Sequence, residues 1–219
     1  SMSGFPKRRL IQTLALEDVE RTAPVNLTYL LWRNPENLKT RSILTLGFNP
    51  SDSLLLDAGF SKKADRLKNP GRVLFDKLSR PEFGPVEEWF LSGKKVETEV
   101  AAKRVIVEGL VELGPSFGAD GNLITSRETF LRLFPANPKG SIEIGLVKLR
   151  SGSNPIFVSE ILNKSLPNDV RVLTKNQFIE FEKNYWKNST AIGFIFSLGA
   201  LMGFVVGCVV VYQILYSDV

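Results

Sequence analysis

The chain has 219 residues, 43% of them hydrophobic and 23% charged, with a net charge of +5 and a mean hydropathy of +0.01. It has no histidine, and its one cysteine, Cys208, has no partner in the chain, which excludes Ser-His and Cys-His nucleophile systems, the usual zinc sites and any intrachain disulfide. Lysine and arginine fall in short scattered runs at 7–9, 62–63 and 94–95, so the basic balance suits a solvated surface or anionic lipid headgroups and not nucleic acid.

Residues 1–4 read as a remnant or linker outside the fold. Pro6 is well placed to open a short helix over 7–16, with Leu10, Ile11 and Leu14 on one face. Residues 19–32 are β-rich, and Pro24 within them implies an edge position or a bulge. A turn at 34–37 leads to a second strand over 41–48, and the two strands pair as an antiparallel hairpin. Residues 49–70 are polar and turn-rich, with a short helix near 53–56. A strand at 72–76, the loop SRPEFGP and a helical turn or two over 86–91 follow. Residues 95–113 alternate through two strands, with a turn near Ala102-Lys103.

The loop GPSFGADGN at 114–122 is the most glycine-rich in the chain. It lacks the Gly-Lys-Ser/Thr that a phosphate-binding loop needs, so Asp120-Gly121 is expected to form a tight turn between strands. As a surface loop it is also a candidate for docking a partner, with Phe117 as the anchor and Asp120 and Asn122 beside it. Residues 123–125 are extended, and Ser126 reads as the N-cap of a helix over 127–134 that Pro135 stops. Further elements are a strand at 141–149, a helix at 155–164 and a last strand at 170–173. The pattern Thr174-x-x-Gln177 is a capping box that starts a helix running on with no clear break. There is no fixed-period repeat, and strands and helices mix without βαβ spacing, which argues for an α+β fold with mixed, mostly antiparallel sheets and short helices. The carboxylate pairs Glu87-Glu88 and Glu180 with Glu182 have no histidine or metal-type cluster near them and read as solvated faces.

Residues 191–215, AIGFIFSLGALMGFVVGCVVVYQIL, contain no charge. At ~1.5 Å per residue such a helix is about 37 Å long, against about 30 Å of hydrocarbon core, so it is expected to cross a membrane with some tilt. Aromatics stand at both ends: Tyr185 and Trp186 before it, Tyr212 and Tyr216 near its close. Gly199, Gly203 and Gly207 recur every four residues and offer a small-residue face for another membrane helix. The preceding helix either continues into the span as one rod or kinks near Asn188-Ser189-Thr190, where three poor helix formers meet. The expected division is an α+β domain over 5–173, a connecting helix over 174–190 and a transmembrane helix over 191–216.

Several stretches form a familiar set in order along the chain: KRRLIQTLALEDVE, RSILTLGFNP, LFDKLSRPEFGP, SFGADGNLITS, PNDVRVLTKNQFIEFEKNYW and the apolar C-terminal run. Together they resemble the DevC-type permeases, cyanobacterial ABC exporter permeases related to the MacB-like and FtsX-like class. The resemblance covers nearly all of residues 5–219. It implies a MacB-like extracytoplasmic domain joined to the second of four membrane helices, the first, third and fourth being absent from these residues. It further implies that the domain is non-catalytic and holds no cofactor, ATP and Mg being bound by a separate cytoplasmic ABC ATPase. The partners implied are that ATPase, a periplasmic membrane fusion protein, an outer-membrane channel reached through the fusion protein, a second permease copy as a homodimer, and membrane lipid. The implied location is the inner (plasma) membrane with the domain in the periplasm, and the implied work is export of lipid or glycolipid cargo driven by ATP.

One local signal opposes that orientation. Lys175, Lys183 and Lys187 precede the span and no Lys or Arg follows it, which by the positive-inside rule puts the domain in the cytoplasm. The orientation expected here follows the resemblance instead. The alternative function is a single-span, membrane-anchored extracytoplasmic sensor or binding module, for which a closed apolar pocket is the expected mark. A membrane-anchored hydrolase using Ser-Lys chemistry is a third class.

Overall fold

The computed structural model describes residues 4–52, 63–116, 118–138, 140–188 and 191–217. The helix expected near 53–56, the side chain of Phe117 and the junction at Ser189 and Thr190, where rod and kink would be told apart, lie outside those residues. The chain divides into two compact units, Ser1–Ser153 with Ser165–Val170, and Asn154–Lys164 with Arg171–Val219.

In the first unit a short strand β1 (Phe5–Pro6) leads into helix α1 (Lys7–Gln12). The helix tightens into a 3-10 turn over Thr13–Ala15, where the Thr13 hydroxyl donates to the Leu10 carbonyl at 2.7 Å and competes with the regular ladder. Strand β2 (Val19–Arg33) then runs for 15 residues and serves two partners in turn. Over its first part it pairs antiparallel with β9 (Ile144–Leu149), Pro24 facing Gly145. Over the rest it pairs antiparallel with β3 (Thr40–Phe48), from Asn26 with Gly47 to Arg33 with Thr40. Among the described residues β9 is the only ladder partner at Pro24, so its missing N–H breaks no second ladder there.

The remaining strands are β4 (Arg72–Asp76), β5 (Glu97–Val100), β6 (Lys103–Val111), β7 (Asn122–Ser126) and β8 (Ser141–Ile142). Their pairing runs β3-β7-β4-β6-β5-β2, and β2 pairs again with β3, so the sheet closes on itself. Closure between β5 and β2 rests on Trp32 opposite Val100 and on the Ala101 N–H donating to the Leu31 carbonyl at 2.8 Å. The β3–β7 and β4–β6 ladders are parallel and the other described ladders antiparallel. The mixed, mostly antiparallel α+β architecture expected from the sequence is the one observed.

Inside the ring, Leu30, Trp32, Ile43, Val73, Phe75, Val105, Val107 and Leu123 pack together. Phe83, Val86 of helix α2 (Val86–Leu91) and Leu133 of helix α3 (Arg127–Leu133) join the same cluster. The Trp32 indole N–H donates to the Phe83 carbonyl at 3.0 Å, so its one polar atom is satisfied at full burial. A second cluster, with Phe48, Leu67, Leu74 and Ile124, lies on the other face. Central strands β4 and β7 are therefore buried on both faces, which is why Val73-Leu74-Phe75 and Leu123-Ile124 are consecutive apolar residues and not an alternating pattern.

The β5–β6 hairpin turns at Ala101-Ala102, one residue earlier than expected, with Val100 opposite Lys103. Both alanines have positive φ, 49° and 57°, the signature of a two-residue turn that prefers Asn-Gly. Relieving that conformation with Ala102→Gly is expected to raise stability by about 1 kcal/mol, read as a higher urea midpoint at unchanged slope.

The second unit holds helices α4 (Pro155–Ser165), α5 (Lys175–Asn188) and α6 (Ala191–Ser217). The strand expected at 170–173 is not formed. Val172 instead uses both backbone groups on one side chain: its N–H donates to Asn163 Oδ1 at 2.8 Å and its carbonyl accepts from Asn163 Nδ2 at 2.7 Å. A carboxamide that mimics a strand edge removes the need for a ladder partner.

Candidate functional site

The 114–122 loop is held from below by a buried carboxylate. Asp76, at the end of β4, is fully buried. Its Oδ1 accepts the backbone N–H groups of Leu78 at 3.2 Å and Leu113 at 3.0 Å. Its Oδ2 accepts the Gly114 N–H at 2.9 Å and the Asn122 amide at 2.8 Å. The Asn122 amide also donates to the Gly114 carbonyl at 2.9 Å. Asn122 is only 7% exposed, so this candidate docking residue faces inward and braces the loop. Neither Asp76 nor this role of Asn122 was anticipated from the sequence. The available signal is an Asp closing an apolar strand run just before a turn, the position from which its carboxylate reaches an N–H two residues on.

Asp120-Gly121 is not a tight hairpin turn. Strands β6 and β7 are not neighbours, because β7 lies between β3 and β4. Gly121 is required by crowding: a Cβ there would lie 2.6 Å from Phe83 Cε2 and 2.8 Å from Ser79 Oγ. Asp120 joins Arg41 of β3 at 2.6 Å and Arg80 at 2.8 Å, while Glu82 stands 3.7 Å from Arg41. The Arg41 guanidinium also lies 5.7 Å over the Phe83 ring. On the other side, the Tyr29 hydroxyl donates to the Gly118 carbonyl at 2.5 Å. The loop is thus a tied platform, with Tyr29, Leu78 and Leu113 about half exposed around it.

Hydrogen bonding from Arg41, with the nearby charges of Arg80 and Arg41, holds the Asp120 carboxyl below its ordinary range against the opposing effect of burial. A depressed pKa adds stability above the unfolded carboxylate value, and that stability is lost as pH falls through the folded value. Asp120→Asn is therefore expected to melt below the wild-type protein at pH 7. The gap should close as pH is lowered below about 4, and a gap independent of pH in thermal scans refutes this account.

Thr174 and Gln177 make reciprocal bonds at the start of α5. The Gln177 N–H donates to Thr174 Oγ1 at 3.2 Å, and the Thr174 N–H donates to Gln177 Oε1 at 2.9 Å. On α6, a Cβ at Gly199, Gly203 or Gly207 would meet no heavy atom within 4 Å, so the glycine face has no occupant among the described residues. By length and composition Ile195–Tyr216 is apolar enough to cross a membrane, and no described residue covers it. Its side chains, Phe196 and Phe204 among them, are exposed throughout.

A separate cleft of about 730 Å³ opens on the first unit. Leu10, Ile11, Pro24, Pro50 and Leu131 supply its apolar lining, and Lys7, Asp52, Lys68, Arg127 and Glu128 its charges. It is open to solvent and rimmed with charge, unlike the closed apolar pocket expected of a sensor. Asp52 is half-buried, and that burial raises its pKa against the opposing charge of Lys7. Sequence reading missed the cleft, because its walls come from segments more than a hundred residues apart.

No known family description matches the chain, and no curated protein is significantly similar to it. Solved structures do match. The extracellular domain of the noncanonic ABC-type transporter YknZ from Gram-positive bacteria superposes with a TM-score of 0.51 at 12% identity, over 78% of this chain and 90% of that one. The periplasmic region of MacB from Actinobacillus actinomycetemcomitans gives 0.49 at 11% identity, over 73% of each chain. At such identities the first match shows a shared fold.

Proposed function

We propose that this chain is the extracytoplasmic domain of an ABC-exporter permease of the MacB-like and FtsX-like class, together with one of its membrane helices. The observation that carries the reading is the order of parts: a closed mixed sheet of the YknZ extracellular type, then a long helix without a charged side chain. In this reading a cytoplasmic ATPase binds ATP and Mg, and the domain relays the resulting movement to a periplasmic membrane fusion protein and, through it, to an outer-membrane channel. The braced loop around Asp120 is the docking platform, and the capped α5 is the relay. The DevC-type resemblance extends the proposal to lipid or glycolipid cargo and to a periplasmic placement at the inner membrane.

Purification of the tagged permease from membranes in mild detergent tests the assembly. Co-recovery of an ATPase and a fusion protein supports it, and recovery of neither overturns it. Ser92→Cys, at an exposed position, tests the orientation: an impermeant thiol reagent should label it from the periplasmic side, and labelling only after inner-membrane lysis reverses the topology. The glycine face is read as the seat of another membrane helix, that of a second permease copy in a homodimer. Gly203→Leu is expected to lower co-recovery of that copy several-fold, and unchanged recovery removes the packing role. The cleft's volume of about 730 Å³ allows a second reading as a ligand-binding module with an open, charge-rimmed site in place of the closed apolar pocket, which predicts binding without any ATPase in the complex.

A further inference from the structure

We propose that the cleft lined by α1, the segment 49–52 that follows β3, and α3 binds a small amphipathic anion, a single acyl chain bearing a carboxylate or phosphate head. Its volume of about 730 Å³ lies within the range of small-molecule sites, roughly 300–1,000 Å³. Leu10, Ile11, Pro24 and Leu131 offer an apolar surface, and Ile11 is left 55% exposed on a helix whose neighbouring Leu10 is buried. An exposed branched side chain beside a buried one, both facing the same cleft, suits a chain lying along it.

The charge on the rim sets the head group. Lys7 and Arg127 make no ion pair among the described residues, whereas Lys68 is already paired with Asp65 at 2.7 Å. Arg127 is oriented by Asn26, whose Oδ1 accepts from Nε at 3.2 Å, and the outer guanidinium nitrogens have no hydrogen-bond partner among the described residues. Two cations that make no ion pair among the described residues, Lys7 having only the through-space charge of half-buried Asp52 near it, stand beside an apolar wall and match an anion with an apolar tail. The rim carboxylates are Asp52, set back from solvent, and exposed Glu128. Ser126 faces the cleft but its hydroxyl is engaged with Thr129, so the head is held by the cations.

The test uses the full chain in phosphatidylcholine nanodiscs and a photoreactive dodecanoate, with labelled peptides mapped by mass spectrometry. The expected result is labelling within 7–12 and 126–131, in addition to any within 191–217. Lys7→Glu with Arg127→Glu should lower cleft labelling about fivefold, two partly exposed charge contacts being removed. Ile11→Asp, a change at an exposed position, should lower it comparably and stands alone if the double variant fails to fold. A photoreactive dodecylamine should label the cleft less than the carboxylate does.

Labelling confined to 191–217, equal labelling by the amine, or labelling unchanged in Ile11→Asp overturns the proposal. Displacement of the probe by inorganic phosphate at concentrations as low as those of dodecanoate also overturns it, in favour of a free-anion site. The readout is binding by this chain alone, so it succeeds or fails independently of the exporter assembly.

Discussion

Asp76→Asn is expected to lower stability by about 3 kcal/mol and Asp76→Ala by about 5 kcal/mol, against the 5–15 kcal/mol typical of a whole domain. The carboxylate is an acceptor only, and every group aimed at it is a donor: the N–H groups of Leu78, Leu113 and Gly114 and the amide of Asn122. In the asparagine variant one oxygen becomes an NH₂. If that group takes the place of Oδ2 it faces Gly114 and Asn122, and if it takes the place of Oδ1 it faces Leu78 and Leu113. Either rotamer sets donors against donors in a site with no solvent access. Alanine leaves all of them without an acceptor. Urea unfolding followed by tryptophan fluorescence, to which buried Trp32 contributes alongside Trp89 and Trp186, measures the loss. Amide hydrogen exchange should localise it, with Leu78, Leu113 and Gly114 losing protection before the strand interiors do. A cost below about 1 kcal/mol means that the loop is held by the Arg41–Asp120–Arg80 ties instead. Asn122→Ala removes one of the same bonds, that between the Asn122 amide and Asp76 Oδ2, so its effect and that of Asp76→Ala should combine to less than their sum.

Local pattern carried the reading of this fold a long way. The β2–β3 hairpin, the β5–β6 hairpin and the Ser126 cap, whose Oγ accepts the Thr129 N–H at 3.2 Å, all rest on residues close in sequence. The departures arise where distant segments decide. Asp120-Gly121 looks like a turn between consecutive strands, but the strand that follows is inserted between β3 and β4, a choice made by packing both faces of Leu123-Ile124. Residues 170–173 have strand composition, but Asn163 occupies the backbone groups of Val172. Ala101-Ala102 is a turn that the residue types disfavour, held in place by the hairpin register and the closure onto Leu31. The candidate site was legible in part for the same reason. Its loop stands out by glycine content, but its support, Asp76, and the cleft's cations, Lys7 and Arg127, are brought into place only by tertiary structure.

Gly47→Ala should cost about 3 kcal/mol, at the upper end of overpacking changes, for a single added methyl group. Gly47 pairs with Asn26 on one side and Thr125 on the other, so its backbone is fixed by two ladders. A Cβ there would lie 2.5 Å from Phe130 Cβ and 2.6 Å from its Cγ. The near atom is a Cβ, which no rotamer change moves, so α3 itself must shift. That helix is tied at its start, since Ser126 caps it from the end of β7 and Thr129 Oγ1 accepts the Gly71 N–H at 3.0 Å. Moving it strains both ties. Gly109→Ala is the control: there the nearest atom is the tip of Leu74, Cδ2 at 3.0 Å, which swings aside, so the cost should stay within about 1 kcal/mol. The two variants add the same methyl group to β3 and to β6, so the difference between them isolates the helix contact from the loss of a glycine. Phe130→Ala should not rescue Gly47→Ala, because the clashing Cβ remains, and rescue would show that the ring, not the helix position, sets the limit. Because α3 carries Arg127 and Leu131, Gly47→Ala is also expected to disturb the cleft while Gly109→Ala leaves it intact, which links the packing of β3 to binding at a site it does not itself line.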